Sequence, residues 1–205
     1  MKQVKQYEYV DLGLPSGLKW AKYNVGATSE TDYGDYFMWG STTPNTADEC
    51  NWASYKYCNG SYNTLTKYNT STLYGENPDN ITTLESVDDA ATQIIGDDWR
   101  MPTMNDFQEL LNGTTNKWIT NFNGTGVNGR KFTSKTDTSK YIFFPAAGYY
   151  HDGSVYSVGD NSYVWSSSLG SSNPYDVWYL GFYSGSCYMY YYSRCYGRSV
   201  RGVKE

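Results

Sequence analysis

Between residues 174 and 203, apolar and polar positions alternate at period two over two runs separated by Ser184-Gly185, a pattern that restricts the stretch to a β-hairpin. In the first run Trp178, Leu180 and Phe182 share one side, and Val177, Tyr179, Gly181 and Tyr183 share the other. In the second, Cys187 and Met189 continue the apolar side while Ser186, Tyr188, Tyr190 and Tyr192 continue the opposite one. The first side is expected to be core and the second a display surface. That second side is almost wholly Tyr, Ser, Gly and Asp, the composition of adaptable binding loops. Tyr supplies a broad, stiff, amphipathic ring, and small polar residues supply hydrogen bonds at low entropic cost. Any single Tyr here is accounted for by strand propensity. Taken together, Tyr175, Tyr179, Tyr183, Tyr188, Tyr190, Tyr191, Tyr192 and Tyr196 mark a recognition face.

A chain of 205 residues suits one domain, residues 1–205. With 18% charged residues and a net charge of −5 it has no basic field to hold a phosphate backbone, which excludes nucleic acid as a partner. No apolar run reaches membrane-spanning length, so no membrane insertion is expected. The first residues are followed by no apolar leader. Secretion without a cleaved leader, a start after one, or assembly inside a cell and release as a phage component all fit. The expected location is extracellular, on a cell surface or on a virion.

Tyr and Gly are abundant and helix-forming residues sparse, which predicts an α+β chain of antiparallel sheets and long loops with two short helices. Strands are expected at 7–12, 18–21, 117–119, 141–148 and 163–168, with a hairpin turn through His151-Asp152-Gly153. Residues 23–40 read as irregular chain anchored by Tyr36 and Trp39, and 41–79 as a long insertion loop without periodicity. The first helix is expected to begin at Ser86 with Asp89 at its third position and Val87, Ala90, Ala91 and Ile94 facing inward. The second is capped by Thr103 with Asp106 in the reciprocal position, turns Met104, Phe107, Leu110 and Leu111 inward, and closes at Asn112-Gly113.

Catalytic chemistry finds little support. The one histidine, His151, reads as a surface turn residue. Asp88 and Asp89 suit a helix N-terminus better than a cation, and Asp97-Asp98 is left open. Glu76-Asn77-Pro78-Asp79 has the groups of a calcium-bridged sugar site but reads first as a turn. The five Asn-x-Ser/Thr triplets, beginning at Asn59, Asn69, Asn80, Asn112 and Asn123, carry no assigned role. Cys50/Cys58 and Cys187/Cys195 are equally spaced, which allows two local disulfides, the first pinning the insertion loop. The inward register of Cys187 favours buried free thiols at Cys187 and Cys195. No metal site and no cofactor is expected.

The run Trp99-Arg100-Met101-Pro102-Thr103-Met104-Asn105-Asp106-Phe107 resembles the tryptophan, arginine, proline and capped-helix signature of the formylglycine-generating-enzyme branch of the C-type lectin fold. Asp11-Leu12-Gly13-Leu14, Lys19-Trp20-Ala21, Asn24-Val25-Gly26-Ala27 and Tyr33-Gly34-Asp35-Tyr36-Phe37-Met38-Trp39-Gly40 resemble surface domains of gut anaerobic bacteria. So do Pro145-Ala146-Ala147-Gly148, Trp165-Ser166-Ser167-Ser168 and Ser199-Val200-Arg201. These matches run from near residue 9 to the last residues and are interrupted at 41–79.

Within that fold, the C-terminal segment 172–203 resembles the variable region of proteins diversified by a retroelement. There a reverse transcriptase miscopies adenines, turning asparagine codons into codons for Tyr, Ser, Gly, Asp and others, but never Trp, Met, Lys, Glu or Gln. Residues 174–200 contain no Lys, Glu or Gln, and Trp178 and Met189 lie in the inward register. The resemblance implies a single-domain hypervariable ligand-binding protein whose varied positions are Tyr175, Asp176, Tyr179, Gly181, Tyr183, Ser186, Tyr188, Tyr190, Tyr191, Tyr192, Ser193 and Tyr196. It implies scaffold roles for Trp178, Leu180, Phe182, Cys187, Met189 and Arg194, and leaves Val177, Arg198 and Ser172 between the two sets. Its partner would be a protein or glycan ligand on another cell surface.

Two departures turn the reading from catalysis and from ordinary sugar binding. Cys187 and Cys195 do not align with the reactive pair of the oxidising enzymes, and the Trp-Asn-Asp calcium motif of sugar-binding members is absent. An invariant adhesin or structural module of the same fold is the alternative, and an oxidase of the formylglycine-generating type a third.

Overall fold

The structure, a computed structural model, describes residues 7–205. Strands β1 (Tyr9–Asp11), β2 (Lys19–Ala21) and β3 (Tyr36–Phe37) are short. Helices α1 (Ala90–Ile95) and α2 (Met104–Gly113) follow the insertion loop. Next come β4 (Thr114–Ile119), β5 (Gly129–Ser134) and β6 (Tyr141–Pro145), which form an antiparallel sheet, and the hairpin β7 (Tyr149–His151) with β8 (Ser154–Tyr156). The chain closes with β9 (Asn161–Leu169), β10 (Asp176–Tyr183), β11 (Ser186–Ser193), β12 (Arg198–Ser199) and β13 (Val203–Lys204).

The main sheet has the order β11-β10-β9-β12-β3, while β13 joins β2 and β1 in a separate three-stranded sheet. Every ladder is antiparallel except β12 on β9. The class is α+β and rich in sheet, with two short α-helices among the described residues, as the composition predicts.

The expected division of the hairpin into a core side and a display side needs correction. Leu180 and Phe182 enter one core with Trp20, Phe107, Phe132 and Phe144, as expected. Val177 and Tyr179, on the opposite side, are also buried, in a second core with Trp39, Tyr68, Trp165 and Val200. Gly181 is buried too, while Trp178 is half-exposed and edge-on to Tyr191 at 5.1 Å. The reason is topological: β10 lies between β9 and β11, and helix α1 and the insertion loop cover the face that period-two reading leaves to solvent. A register shift against β9 between Val177 and Tyr179 bends the strand at this point. Each fully buried apolar side chain of β10 contributes roughly 1.5–3 kcal/mol. Solvent therefore reaches mainly the edge strand β11.

Helix α2 forms as predicted. The Thr103 Oγ1 accepts from the Asp106 N–H at 3.2 Å, the Asp106 carboxylate accepts from the Thr103 N–H at 2.7 Å, and Phe107 and Leu110 are buried. Helix α1 starts later than expected because residues Ser86–Asp88 form a 3-10 turn. Asp89 is its N-cap rather than its third residue, accepting from the Thr92 N–H at 3.0 Å and from the distant Met101 N–H at 2.7 Å. Ala90 and Ala91 face inward, but Val87 and Ile94 are exposed.

The insertion loop is held by polar anchors, and all four cysteines are free thiols, so no Cys50–Cys58 bond pins it. Tyr55 donates to the Trp39 carbonyl at 2.9 Å, and the Asp79 carboxylate accepts from the Tyr68 and Asn69 N–H groups at 2.7 and 2.9 Å. That use of Asp79 accounts for the acidic tetrapeptide as a turn. Asp88 accepts from Lys67 at 2.7 Å and from the Tyr68 hydroxyl at 2.7 Å. Burial raises the Asp88 carboxyl, but hydrogen bonds from Lys67, Tyr57 and Tyr68 outweigh it and hold the group well below the usual carboxylate range.

Candidate ligand-binding cleft

Pairing with β10 fixes the register of β11, opposing Tyr190 to Tyr179 and Tyr192 to Val177. Because β11 has no strand on its outer side, Tyr190 and Tyr192 stay about half exposed. Tyr190 and Tyr191 stack at 5.1 Å, and Tyr192 meets Tyr196 edge-on at the same separation. These rings, with Tyr175, Asp176 and Ser193, form one wall of a cleft of about 960 Å³. That is the upper part of the size range of small-ligand sites.

The opposite walls come from two segments that sequence reasoning did not assign to a site. Asn51, Trp52, Ala53 and Tyr62 belong to the insertion loop, and His151 and Asp152 to the β7–β8 hairpin. Tyr62, Tyr74 and Tyr175 form a triangle of edge and tilted ring contacts at 5.2–6.4 Å that joins the loop to the start of β10. The Tyr74 hydroxyl donates to Asn173 Oδ1 at 2.9 Å. A cluster of Trp and Tyr within a loop otherwise made of Asn, Thr and Ser was the available signal, since rings in a polar loop must either anchor it or bind.

His151 is a structured wall residue and not a free turn. Its ring stacks on Tyr196 at 3.9 Å and 14°, and Nδ1 donates to the Cys50 carbonyl at 3.0 Å. The close approach behind this wall depends on Gly197: a Cβ there would stand 2.5 Å from Cys50 Sγ and 2.9 Å from Tyr150 Cβ. Backbone hydrogen bonds in both directions between Tyr150 and Gly197 lock that approach.

Of the residues singled out from sequence, Tyr175, Asp176, Tyr190, Tyr191, Tyr192, Ser193 and Tyr196 converge on the cleft. Tyr183, Ser186 and Tyr188 lie toward the turn of the hairpin and outside its walls. Tyr179 and Gly181, expected on the surface, are covered by neighbouring rings. Tyr163 packs on Tyr179 at 5.5 Å, and the Tyr188 ring stands over Gly181, 2.7 Å from where a Cβ would be. Rings on adjacent strands are wider than the strand spacing, so each covers its neighbour.

The cleft offers ring faces, phenol and amide groups and carboxylates. Burial raises the Asp176 carboxyl, opposed by a hydrogen bond with Asn173 and the charge of Arg198. Burial also pushes the Cys50 and Cys195 thiols up to about 12 and the Cys187 thiol up to about 11. Thiols so held remain protonated, the form that does not attack an electrophile.

A family model described as a domain of unknown function (DUF8237) matches residues 124–203. No curated protein and no solved structure matches the chain.

Proposed function

We propose that this chain is a ligand-recognition protein in which a diversified C-terminal segment, 172–203, is displayed on a C-type lectin scaffold of the formylglycine-generating-enzyme-like branch. The observation that carries the reading is the convergence of Tyr175, Asp176, Tyr190, Tyr191, Tyr192, Ser193 and Tyr196 on one concave cleft, while Leu180, Phe182 and Arg194 of the same segment are buried. A surface that varies without unfolding its carrier needs this separation. The α+β class with short helices, antiparallel sheets and long loops supports the reading at the level of fold class.

The mechanism is recognition alone. Outward Tyr rings supply contact area and hydroxyls, and a few act as hot spots. The ligand is a protein or glycan on another cell surface, and the protein acts outside the cell, on a cell surface or on a virion. The raised thiol pKa values favour this reading over an oxidase, which needs a reactive cysteine. The insertion-loop rings in the cleft extend the binding surface beyond the diversified segment.

The test is to sequence the DNA around the gene. A near-copy of the stretch encoding residues 174–203, mismatched at its adenines and lying beside a reverse transcriptase, is the expected result. Absence of such a copy, with identical Tyr positions in sequences from different hosts, would overturn diversification and leave a fixed adhesin.

A further inference from the structure

Arg198 lies at the base of a small side cleft of about 180 Å³ that shares the rings of Tyr192 and Tyr196 with the main one. The residue is only 3% exposed. The guanidinium carbon sits 4.0 Å from the centre of the Tyr179 ring, 4.3 Å from Trp165 and 5.0 Å from Tyr163, with Tyr192 and Tyr196 just under 6 Å away. Ring faces balance part of the charge but accept no ordinary hydrogen bond. Neither Nε nor Nη1 has a hydrogen-bond partner. The Tyr179 phenol interacts with Arg198 through charge and a side-chain hydrogen bond, and Asp176 through charge, yet Nε and Nη1 stay without a partner.

The other buried arginines are better paired. Arg201 donates to four acceptors, and Arg194 donates to two carbonyls with only its Nε left without a partner. A buried cation with unpaired N–H groups carries a desolvation cost that an incoming anion offsets.

We infer that Arg198 is a constant anchor for the carboxylate of an acidic sugar, bound with that group in the side cleft and the rest of the glycan in the main cleft. This rests on the ligand-binding reading above. One guanidinium and no second cation among the lining residues matches a monoanion rather than a phosphate dianion. The volume is about that of six waters, room for a flat carboxylate and a few carbons between rings. The main cleft is lined by the rings of Trp52, Tyr62 and Tyr175 and by the polar groups of Asn51, Asp176 and Ser193. Flat apolar faces set beside groups that pair with hydroxyls fit a sugar ring.

The experiment uses the full chain labelled with ¹⁵N-arginine. The Arg198 Nε–Hε signal is assigned by its loss in Arg198→Lys, or by contacts to Tyr179 ring protons in the wild type should that variant not fold. Methyl glucuronide, methyl glucoside and an amide-blocked N-acetylglutamate are titrated at constant ionic strength. Expected is a saturable shift of the Arg198 signal with the glucuronide, at least tenfold tighter binding than the glucoside, and weaker binding of the blocked glutamate. A preference below tenfold, an unmoved Arg198 signal, or a blocked glutamate binding as tightly as the glucuronide overturns the inference, the last pointing to an acidic peptide. A retroelement template without acid preference sinks the anchor alone. Acid preference without a template sinks diversification alone.

Discussion

Arg194 donates from Nη1 to the carbonyl of Tyr68 at 3.0 Å, tying the C-terminal segment to the insertion loop from 126 residues earlier in the chain. Its Nη2 donates to the Lys67 carbonyl at 3.0 Å, and its guanidinium packs over Tyr55 and Trp39. The residue is fully buried. Both walls of the cleft therefore share one fastener.

Arg194→Met removes that fastener and leaves two carbonyls without donors. A loss of about 2–3 kcal/mol is expected, with faster cleavage of residues 41–79 by a protease. Urea unfolding with limited proteolysis checks it; an unchanged midpoint would show that the loop is held elsewhere.

Asp88 makes the acid limb of stability specific. Its folded-state pKa lies below the unfolded value of about 3.9. The stability it contributes is thus fully present above pH 4 and disappears as pH falls through the lowered folded value. Asp88→Asn should cost about 2–3 kcal/mol at pH 7, since Lys67 and Lys56 lose their shared partner. The gap to wild type should close progressively below pH 4. A gap constant from pH 7 to pH 2 would contradict the ion-pair account.

Two glycines in the same segment should respond unequally. A Cβ at Gly197 meets Cys50 Sγ and the Cβ of Tyr150, atoms that cannot withdraw, and Gly197→Ala is expected to cost about 2–3 kcal/mol. A Cβ at Gly181 meets the ring edge of the part-exposed Tyr188, which can swing aside, and that of the core residue Tyr179, so Gly181→Ala should cost about 1 kcal/mol, less than Gly197→Ala. Tyr190→Ser, at a side chain 53% exposed, should stay within about 0.5 kcal/mol of wild type. Thermal melts of the three variants rank them, and equal losses at 181 and 197 would count against a tolerant recognition face.

The buried thiols should be chemically silent in the native protein. With folded pKa values of about 12, Cys50 and Cys195 expose on the order of 10³-fold less thiolate at pH 8 than free cysteine. Iodoacetamide labelling followed by mass spectrometry should find them protected until urea is added. Rapid native labelling with matching loss of an oxidase activity would revive the enzymatic alternative.

Some of the architecture was legible because its signals are local. Thr103 and Asp106 lie three residues apart and cap α2 in the structure as they do on paper. The run Tyr141–Pro145 became β6, and Ser184-Gly185 turns the chain between β10 and β11. Helix α1 was misplaced because Asp89 is recruited by Met101, a partner twelve positions away that local capping rules do not include.

By itself the sequence determined the α+β class, the C-terminal hairpin with its turn and the concentration of Tyr along it. These follow from alternation, turn chemistry and composition, all of which act between near neighbours. Tertiary structure alone decided that Val177 and Tyr179 are core, that Trp52 and Tyr62 line one cleft with Tyr175 and Tyr190, and that Arg198 lies among rings with two unpaired nitrogens. Period two states which side of a strand a residue takes, but whether that side meets water depends on what packs over it. Here the cover comes from helix α1 and from an aperiodic loop distant in sequence, placed by ring packing and by buried polar anchors that no local pattern encodes.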